Sequence, residues 1–303
     1  MILVTGCSGV LGQALLAELK LHHDDVVGVR QAELPLDDWE ATRDYLRRHR
    51  PKQVFHAAAR VHGIMGNHDF PCDVYTQNVR INTNVIEAAR QSGCEKFTGV
   101  STVAAYPFNL PFPIQEAAFW DGPPHHSERA YAHSKRAMLA HLEACQAQYG
   151  LDFLYPIVTN LFGPHDRFDE QHGHVVPSLI SKFHRASVEG SEVQVWGAGI
   201  AKRDFMFARD AASAIVLASR TTSGPINIAT GATVPIRDVV ELLSKIAAVP
   251  DVKWDASKPD GQLDRSYDVR RLVELGFQPK FTLEEALRIT YDWYQKHQHV
   301  ARR

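Results

Sequence analysis

Residues 2–12 read Ile2-Leu3-Val4-Thr5-Gly6-Cys7-Ser8-Gly9-Val10-Leu11-Gly12, a short apolar run followed by glycines spaced G-x-x-G-x-x-G. The apolar run predicts a buried strand, and the amphipathic stretch 13–21 predicts a helix. Glycines at such a junction let backbone approach a pyrophosphate closely, with the helix N-terminus facing the phosphates. A tight βα turn that holds nothing would use the same residues. Their placement between a first strand and a first helix favours the phosphate site. Gly6, Ser8, Gly9, Val10, Leu11 and Gly12 are therefore expected to touch a dinucleotide.

The alternation continues downstream. Strands are expected at 26–29, 54–56, 96–100 and 152–158, and helices at 39–49, 82–92 and 131–149. Strand-helix-strand order implies a parallel sheet, and right-handed crossovers place helices on both faces. The fold class is α/β, a Rossmann-type doubly wound parallel sheet. Past residue 163 the pattern loosens into loops rich in Pro, His and Gly. Helices follow at 175–186, 210–219, 237–247 and 283–297, with strands at 193–196 and 226–229. Residues 1–162 are expected to form the dinucleotide-binding domain, with the chain returning to it near 205–230. Residues 163–303 are expected to form mainly a smaller, C-terminal substrate-binding lobe.

The chain carries 33 basic and 35 acidic side chains over 303 residues, a balance that argues against a nucleic-acid or polybasic-membrane partner. The four cysteines, Cys7, Cys72, Cys94 and Cys145, show no CxxC spacing and read as reduced thiols. The 16 histidines show no HExxH spacing, so no metal site is expected. A strand pattern directly after Met1 leaves no room for a signal peptide, and no apolar run is long enough to span a bilayer. A cytoplasmic protein is expected.

Three further features point to hydride chemistry. The second strand ends in Val29-Arg30-Gln31 without a carboxylate. A carboxylate there would hold the ribose 2′-hydroxyl of NAD, whereas arginine suits the 2′-phosphate of NADP. Tyr131-Ala-His-Ser-Lys135 places a phenol and an ammonium on one helix face. Lys135 is then expected to lower the Tyr131 pKa and to reach the nicotinamide ribose, so that the phenol protonates a carbonyl oxygen as hydride arrives. Ser101-Thr102 follows a strand at the carboxyl edge of the sheet, where a Thr102 hydroxyl would hydrogen-bond the same oxygen.

With these motifs the chain resembles the extended short-chain dehydrogenases/reductases along nearly its full length. The resemblance also includes Asn78, Asn160-Leu-Phe-Gly-Pro164, Arg203-Asp-Phe, Asp210 and Asn227-Ile-Ala-Thr-Gly231. Within that family, stretches such as 158–166, 173–177, 195–197 and 255–261 are similar to the GDP-L-fucose synthases. These epimerise C3 and C5 of a GDP-4-keto-6-deoxy sugar and then reduce C4 with NADPH. The resemblance implies Thr102, Tyr131 and Lys135 as the reductase triad and His174 as the catalytic histidine. It implies a cofactor surface that adds Ala57, Ala58, Val100, Ser101, Val158, Asn160, Leu161 and His174 to the glycine loop and Arg30. It places Asn160, Lys182, Trp196, Arg203 and Lys258 on the substrate, a GDP-sugar, and implies a homodimer. Trp196 would equally serve as ordinary core packing.

One departure matters. The family carries a cysteine two residues after the catalytic Ser/Thr, which moves protons beside the ketone. Here that position is Ala104, or Val103 if counted from Ser101. A water or Cys72 could substitute for that cysteine, although Cys72 reads first as a small buried hydrophobe. The carboxylates of related 4,6-dehydratases are also missing. The leading expectation is C4 reduction without C3/C5 epimerisation. A complete epimerase-reductase, a generic NAD-dependent nucleotide-sugar epimerase and a non-catalytic NADP sensor are the alternatives. Loops 61–67 and 107–113 would choose between hexose and heptose.

Overall fold

A computed structural model describes residues 1–60, 69–170, 173–257 and 264–302. The first half runs β1 (Ile2–Thr5), α1 (Val10–Lys20), β2 (Val26–Val29), α2 (Trp39–His49), β3 (Gln53–His56) and α3 (Pro71–Gln91). It continues with β4 (Lys96–Gly99), β5 (Ser101–Thr102), α4 (Arg129–Tyr149), β6 (Asp152–Val158) and β7 (Asn160–Phe162). Then come α5 (Val175–Glu189), β8 (Val193–Trp196), β9 (Lys202–Arg203), β10 (Phe205–Phe207), α6 (Ala208–Thr221) and β11 (Gly224–Ile228). The chain closes with β12 (Val234–Pro235), α7 (Ile236–Ala247), β13 (Val252–Asp255), α8 (Arg270–Glu274) and α9 (Leu283–His297).

The main sheet is parallel, in the order β11-β6-β4-β3-β1-β2, with β5 also paired to β6. Its faces follow the two-residue period of the strands. Leu3, Val54 and Phe97 point into one core with α2, α3 and α4. Ile2, Val4 and Phe55 point into the other with α1 and α6. A third core gathers Phe168, Phe183, Val195, Leu243, Leu287 and Tyr294 beneath α5, α7 and α9. The doubly wound sheet is thus as the alternation predicts.

The order reverses between β1 and β3, since the chain leaves β1 outward to β2 and returns across it to β3. Open α/β sheets bind ligands at the carboxyl ends of strands beside such a reversal. The loops after β1, β3 and β4 all open there.

Helix α3 starts eleven residues earlier than expected. Pro71 occupies its first turn, where the missing N–H costs nothing. The buried residues of its first half are Val74, Asn78 and Ile81, so a polar Asn78 breaks the apolar period there. Asn78 Nδ2 donates to the Arg60 and Val74 carbonyls, and Oδ1 accepts from the Arg60 amide. The strand expected at 96–100 is interrupted at Val100, leaving β4 and β5. Among the described residues no helix is long and apolar enough to cross a membrane.

Candidate active site

The glycine loop packs against the turn after β3. Gly6 has φ +70, and a Cβ there would lie 2.7 Å from the Ala58 backbone. A Cβ on Gly12 would lie 2.1 Å from the Gly6 carbonyl oxygen. Protein packing alone therefore demands glycine at both positions. Gly9 differs: a Cβ there would meet nothing nearer than the Gly6 oxygen at 3.4 Å, and its φ of −85 suits any residue. Gly9 caps α1 without a side-chain hydrogen bond. Space kept open before free helix amides fits a dinucleotide pyrophosphate, which is the condition for calling this loop a cofactor cradle.

Arg30 follows β2 directly and is exposed, in keeping with a contact to the outer ribose. Its backbone amide donates to Glu33 Oε2 at 2.8 Å. Glu33 is a carboxylate beside Arg30 that the sequence reading missed, because it lies past the strand end where such residues are sought. Ala57 and Ala58 are tied to β1 through the Thr5 carbonyl and hydroxyl at 3.3 and 3.4 Å. His56 lies beneath them, fully buried, with Nδ1 2.8 Å from Thr5 Oγ1 and Nε2 3.0 Å from Asn82 Oδ1. Burial, with Lys135 nearby, pushes its pKa down to about 3. This neutral imidazole braces β1 and β3 against α3.

Tyr131 and Lys135 share one face of α4, with the Lys135 ammonium 5.8 Å from the phenol ring centre. Lys135 is buried, and its Nζ donates to the Val100 carbonyl at 2.8 Å. Desolvation pushes its pKa down to about 8. The expected lowering of the Tyr131 pKa is not what this geometry produces. Burial holds the phenol above its ordinary value, with Glu128 adding to the rise. Desolvation outweighs an ammonium turned toward Val100. Tyr131 is consequently a protonated acid at neutral pH.

Thr102 caps a short 3₁₀ turn, Val103–Ala105, by accepting from the Ala104 amide at 3.2 Å. That leaves its O–H to donate elsewhere. The turn packs against α4. The Ser101 hydroxyl, by contrast, is buried and donates to Tyr155 Oη at 2.7 Å, which in turn donates to the Lys135 carbonyl at 2.7 Å. Ser101 thus holds α4 against the sheet. Any contribution to a cofactor surface falls to its backbone. Val103, Ala104 and Ala105 are all buried and apolar. Cys72 is exposed on α3, which corrects the expectation of a buried thiol.

The remaining residues line the C-terminal side. Val158 is buried, Leu161 is half-buried, and the Asn160 amide donates to the Asp204 carbonyl at 3.0 Å. His174 caps α5 and is exposed. Lys182 Nζ lies 5.6 Å above the Trp196 ring and donates to the Gln194 carbonyl at 3.3 Å. Trp196 is 60 % exposed, so core packing does not account for it. Arg203 lies at the end of β9 and donates to the Lys202 carbonyl at 2.7 Å. Its neighbour Asp204 is buried and accepts from the Thr230 and Gly231 amides, and burial still raises it to about 6.

Arg265 was missed by the sequence reading. It is 8 % exposed, and its Nε and Nη2 have no hydrogen-bond partner among the described residues. Arg203 feels its charge, as does Tyr267. A buried guanidinium with unmet donors beside a second cation favours an anionic group. Lys258 and loop 61–67 lie outside the described residues.

Comparison with known proteins follows the same lines. Residues 2–229 match the model of the NAD dependent epimerase/dehydratase family. GDP-L-fucose synthase 1 of Arabidopsis thaliana is 35 % identical over 300 residues, covering 97 % of this chain and 93 % of that protein. The crystal structure of a GDP-L-fucose synthetase from Naegleria fowleri bound to NADP superposes with a TM-score of 0.92 at 28 % identity, covering 100 % of this chain and 96 % of that one. MlghC, a GDP-mannoheptose C4 reductase from Campylobacter jejuni with NADP bound, superposes with a TM-score of 0.87 at 25 % identity, covering 97 % and 98 %. A glycine loop at the sheet reversal, a Tyr-Lys pair on α4 and this full-length likeness agree: the chain is an NAD(P)-dependent enzyme that belongs to the NAD-dependent epimerase/dehydratase family, in the extended branch of the short-chain dehydrogenases/reductases.

Proposed function

We propose that this enzyme reduces the C4 ketone of a GDP-4-keto-6-deoxy sugar with NADPH and does not invert C3 or C5. One observation carries the second half of that reading. The turn after Thr102 presents only the buried, apolar Val103, Ala104 and Ala105, none of which exchanges a proton. Inversion needs removal from one face and delivery to the other, and His174 is one group. The likeness to MlghC, a GDP-mannoheptose C4 reductase, supports the same reading.

The residues divide the reduction between them. The glycine loop, Arg30 and the Ala57–Ala58 turn would hold NADPH, which supplies the hydride when bound. Thr102 donates a hydrogen bond to the C4 oxygen. Tyr131, protonated at neutral pH, delivers the proton as that oxygen gains charge, so ketone, hydride and proton combine to an alcohol. Lys135 then stabilises the phenolate left behind. Lys182, Arg203 and Arg265 would neutralise the substrate diphosphate, with Trp196 as a flat wall for the nucleoside. A homodimer formed through α3 and α4 belongs to this reading.

The test is incubation with a GDP-4-keto-6-deoxy sugar and NADPH in deuterated water. NADPH should be consumed, and the product should carry no deuterium at C3 or C5 beyond an enzyme-free control. Deuterium there refutes the loss of epimerisation. Absence of NADPH consumption with both the hexose and the heptose substrates refutes the reductase.

A further inference from the structure

We propose that Glu87, His141 and Cys145 form a binding site for a zinc-class divalent metal, apart from the catalytic residues. Glu87 Oε1, His141 Nε2 and Cys145 Sγ lie within 4.8 Å of one another, the one group of three such ligands among the described residues. His141 and Cys145 are four apart and share a face of α4. Glu87 comes from α3, packed alongside. His141 Nε2 is 3.2 Å from Glu87 Oε1, and Cys145 Sγ is 4.0 Å from the same oxygen.

Zinc holds nitrogen, oxygen and sulfur ligands at about 2.0–2.3 Å, so ligand atoms in a tetrahedral site stand roughly 3.3–3.8 Å apart. The present spacing reaches that by side-chain rotation alone. A 4.0 Å thiol-to-carboxylate contact is weak as a hydrogen bond, so hydrogen bonding gives little reason for Cys145 to face Glu87. Thiolate and carboxylate together would offset the charge of the metal, with Arg90 sharing the carboxylate. Arg90 holds Glu87 with Nη2 on Oε2 at 2.7 Å and, more weakly, Nε on Oε1 at 3.4 Å, orienting the carboxylate with Oε1 toward His141. Carboxylate orientation by such an outer partner is a common feature of metal sites. Glu87 and His141 side chains are 26 % and 25 % exposed in the single chain, which leaves room for a fourth ligand, a water or, in a homodimer through α3 and α4, a group at the seam.

No local spacing betrays this group, because Glu87 and His141 are 54 residues apart. His141 lies six residues beyond Lys135, roughly 9 Å further along α4. Metal binding is therefore expected to leave the reductase rate unchanged.

The full-length protein, in whatever assembly it adopts, is stripped with a chelator and titrated with cobalt(II). All proteins carry Cys72→Ser, which removes the exposed competing thiol. The expected result is one cobalt per chain with a near-ultraviolet thiolate-to-cobalt charge-transfer band, chased by zinc. Cys145→Ser should abolish the band, and Cys94→Ser should retain it. His141→Gln and Glu87→Gln should each weaken cobalt binding at least tenfold. Zinc should also raise the Tm of the parent protein, saturating at one equivalent. Absence of a thiolate band or of that Tm rise, or a band unaltered in Cys145→Ser, overturns the proposal and leaves the group as a hydrogen-bonded ion pair.

Discussion

The Lys135 ammonium donates to the Val100 carbonyl at 2.8 Å, tying the catalytic helix to the break between β4 and β5. This bond is made inside a site that excludes water from the ammonium, and the exclusion has a measurable consequence. Ordinary lysine titrates at 10.5, and Lys135 at about 8. Between those values the unfolded chain holds a proton that the folded chain has released, so stability rises with pH across the window. The cost of keeping the charge buried is fully present below pH 8 and corresponds to about 3 kcal/mol at most. Lys135→Met should therefore be at least as stable as the parent at pH 7, less the lost Val100 bond. Its advantage should fade as pH rises from 8 to 10.5. Calorimetric Tm values across that range check this, and a variant whose advantage grows with pH contradicts it.

Tyr131→Phe removes the proton donor and little else. General acids of this kind contribute about 10²–10⁴ in rate. NADPH oxidation should fall by that factor, with NADPH binding measured by fluorescence unchanged. His174→Ala, altering an exposed helix cap, should mainly raise KM for the sugar. A Tyr131→Phe enzyme with full activity would remove Tyr131 from the mechanism.

The strands, the helix faces and the Tyr-Lys pair were legible because each is written in local periodicity. What escaped depends on contacts between distant segments. The first half of α3 buries Asn78 between Val74 and Ile81 for its hydrogen bonds, so the apolar period of its inner face is broken in sequence. Thr102 and Ser101 are neighbours, yet only the fold sends the Ser101 hydroxyl to Tyr155 and leaves the Thr102 proton to donate. The direction of the Tyr131 shift was misjudged because spacing reports the nearby charge and not the desolvation that outweighs it. Arg265 carries no motif and declares itself only through unmet donors.

Arg30 and Glu33 make opposing demands on the cofactor. An arginine suits a 2′-phosphate, while the Glu33 carboxylate, drawn to the Arg30 amide at 2.8 Å, opposes one. Arg30→Ser should raise KM for NADPH roughly tenfold or more, the loss of one charged hydrogen bond, and leave NADH unaffected. Glu33→Gln should lower KM for NADPH. Steady-state kinetics with both cofactors decide the matter, and an Arg30→Ser enzyme that keeps its NADPH preference removes Arg30 from the cofactor surface.

Arg265 should act on substrate binding and not on the chemical step. Its Nε and Nη2 atoms, which have no hydrogen-bond partner among the described residues, would be satisfied by an arriving anion. Arg265→Met should weaken GDP binding by about tenfold or more in calorimetry. The same change should raise Tm in the absence of ligand, because a buried, unmatched guanidinium is removed. Unaltered GDP affinity would leave Arg265 a structural residue.

Gly9 and Gly12 separate what the fold needs from what the cofactor needs. A Cβ on Gly12 would lie 2.1 Å from the Gly6 oxygen, a backbone atom that cannot move without breaking the turn. Gly12→Ala should therefore lower Tm sharply, on the scale of about 1–3 kcal/mol for overpacking. A Cβ on Gly9 meets no protein atom nearer than 3.4 Å, and its backbone angles accept alanine. Gly9→Ala should keep the parent Tm without cofactor while losing at least tenfold in NADPH affinity, because the methyl would occupy space before the α1 amides. Thermal scans with and without NADPH distinguish the two variants. If Gly9→Ala binds NADPH as tightly as the parent, the pyrophosphate does not approach at Gly9, and the open space there belongs to the turn alone.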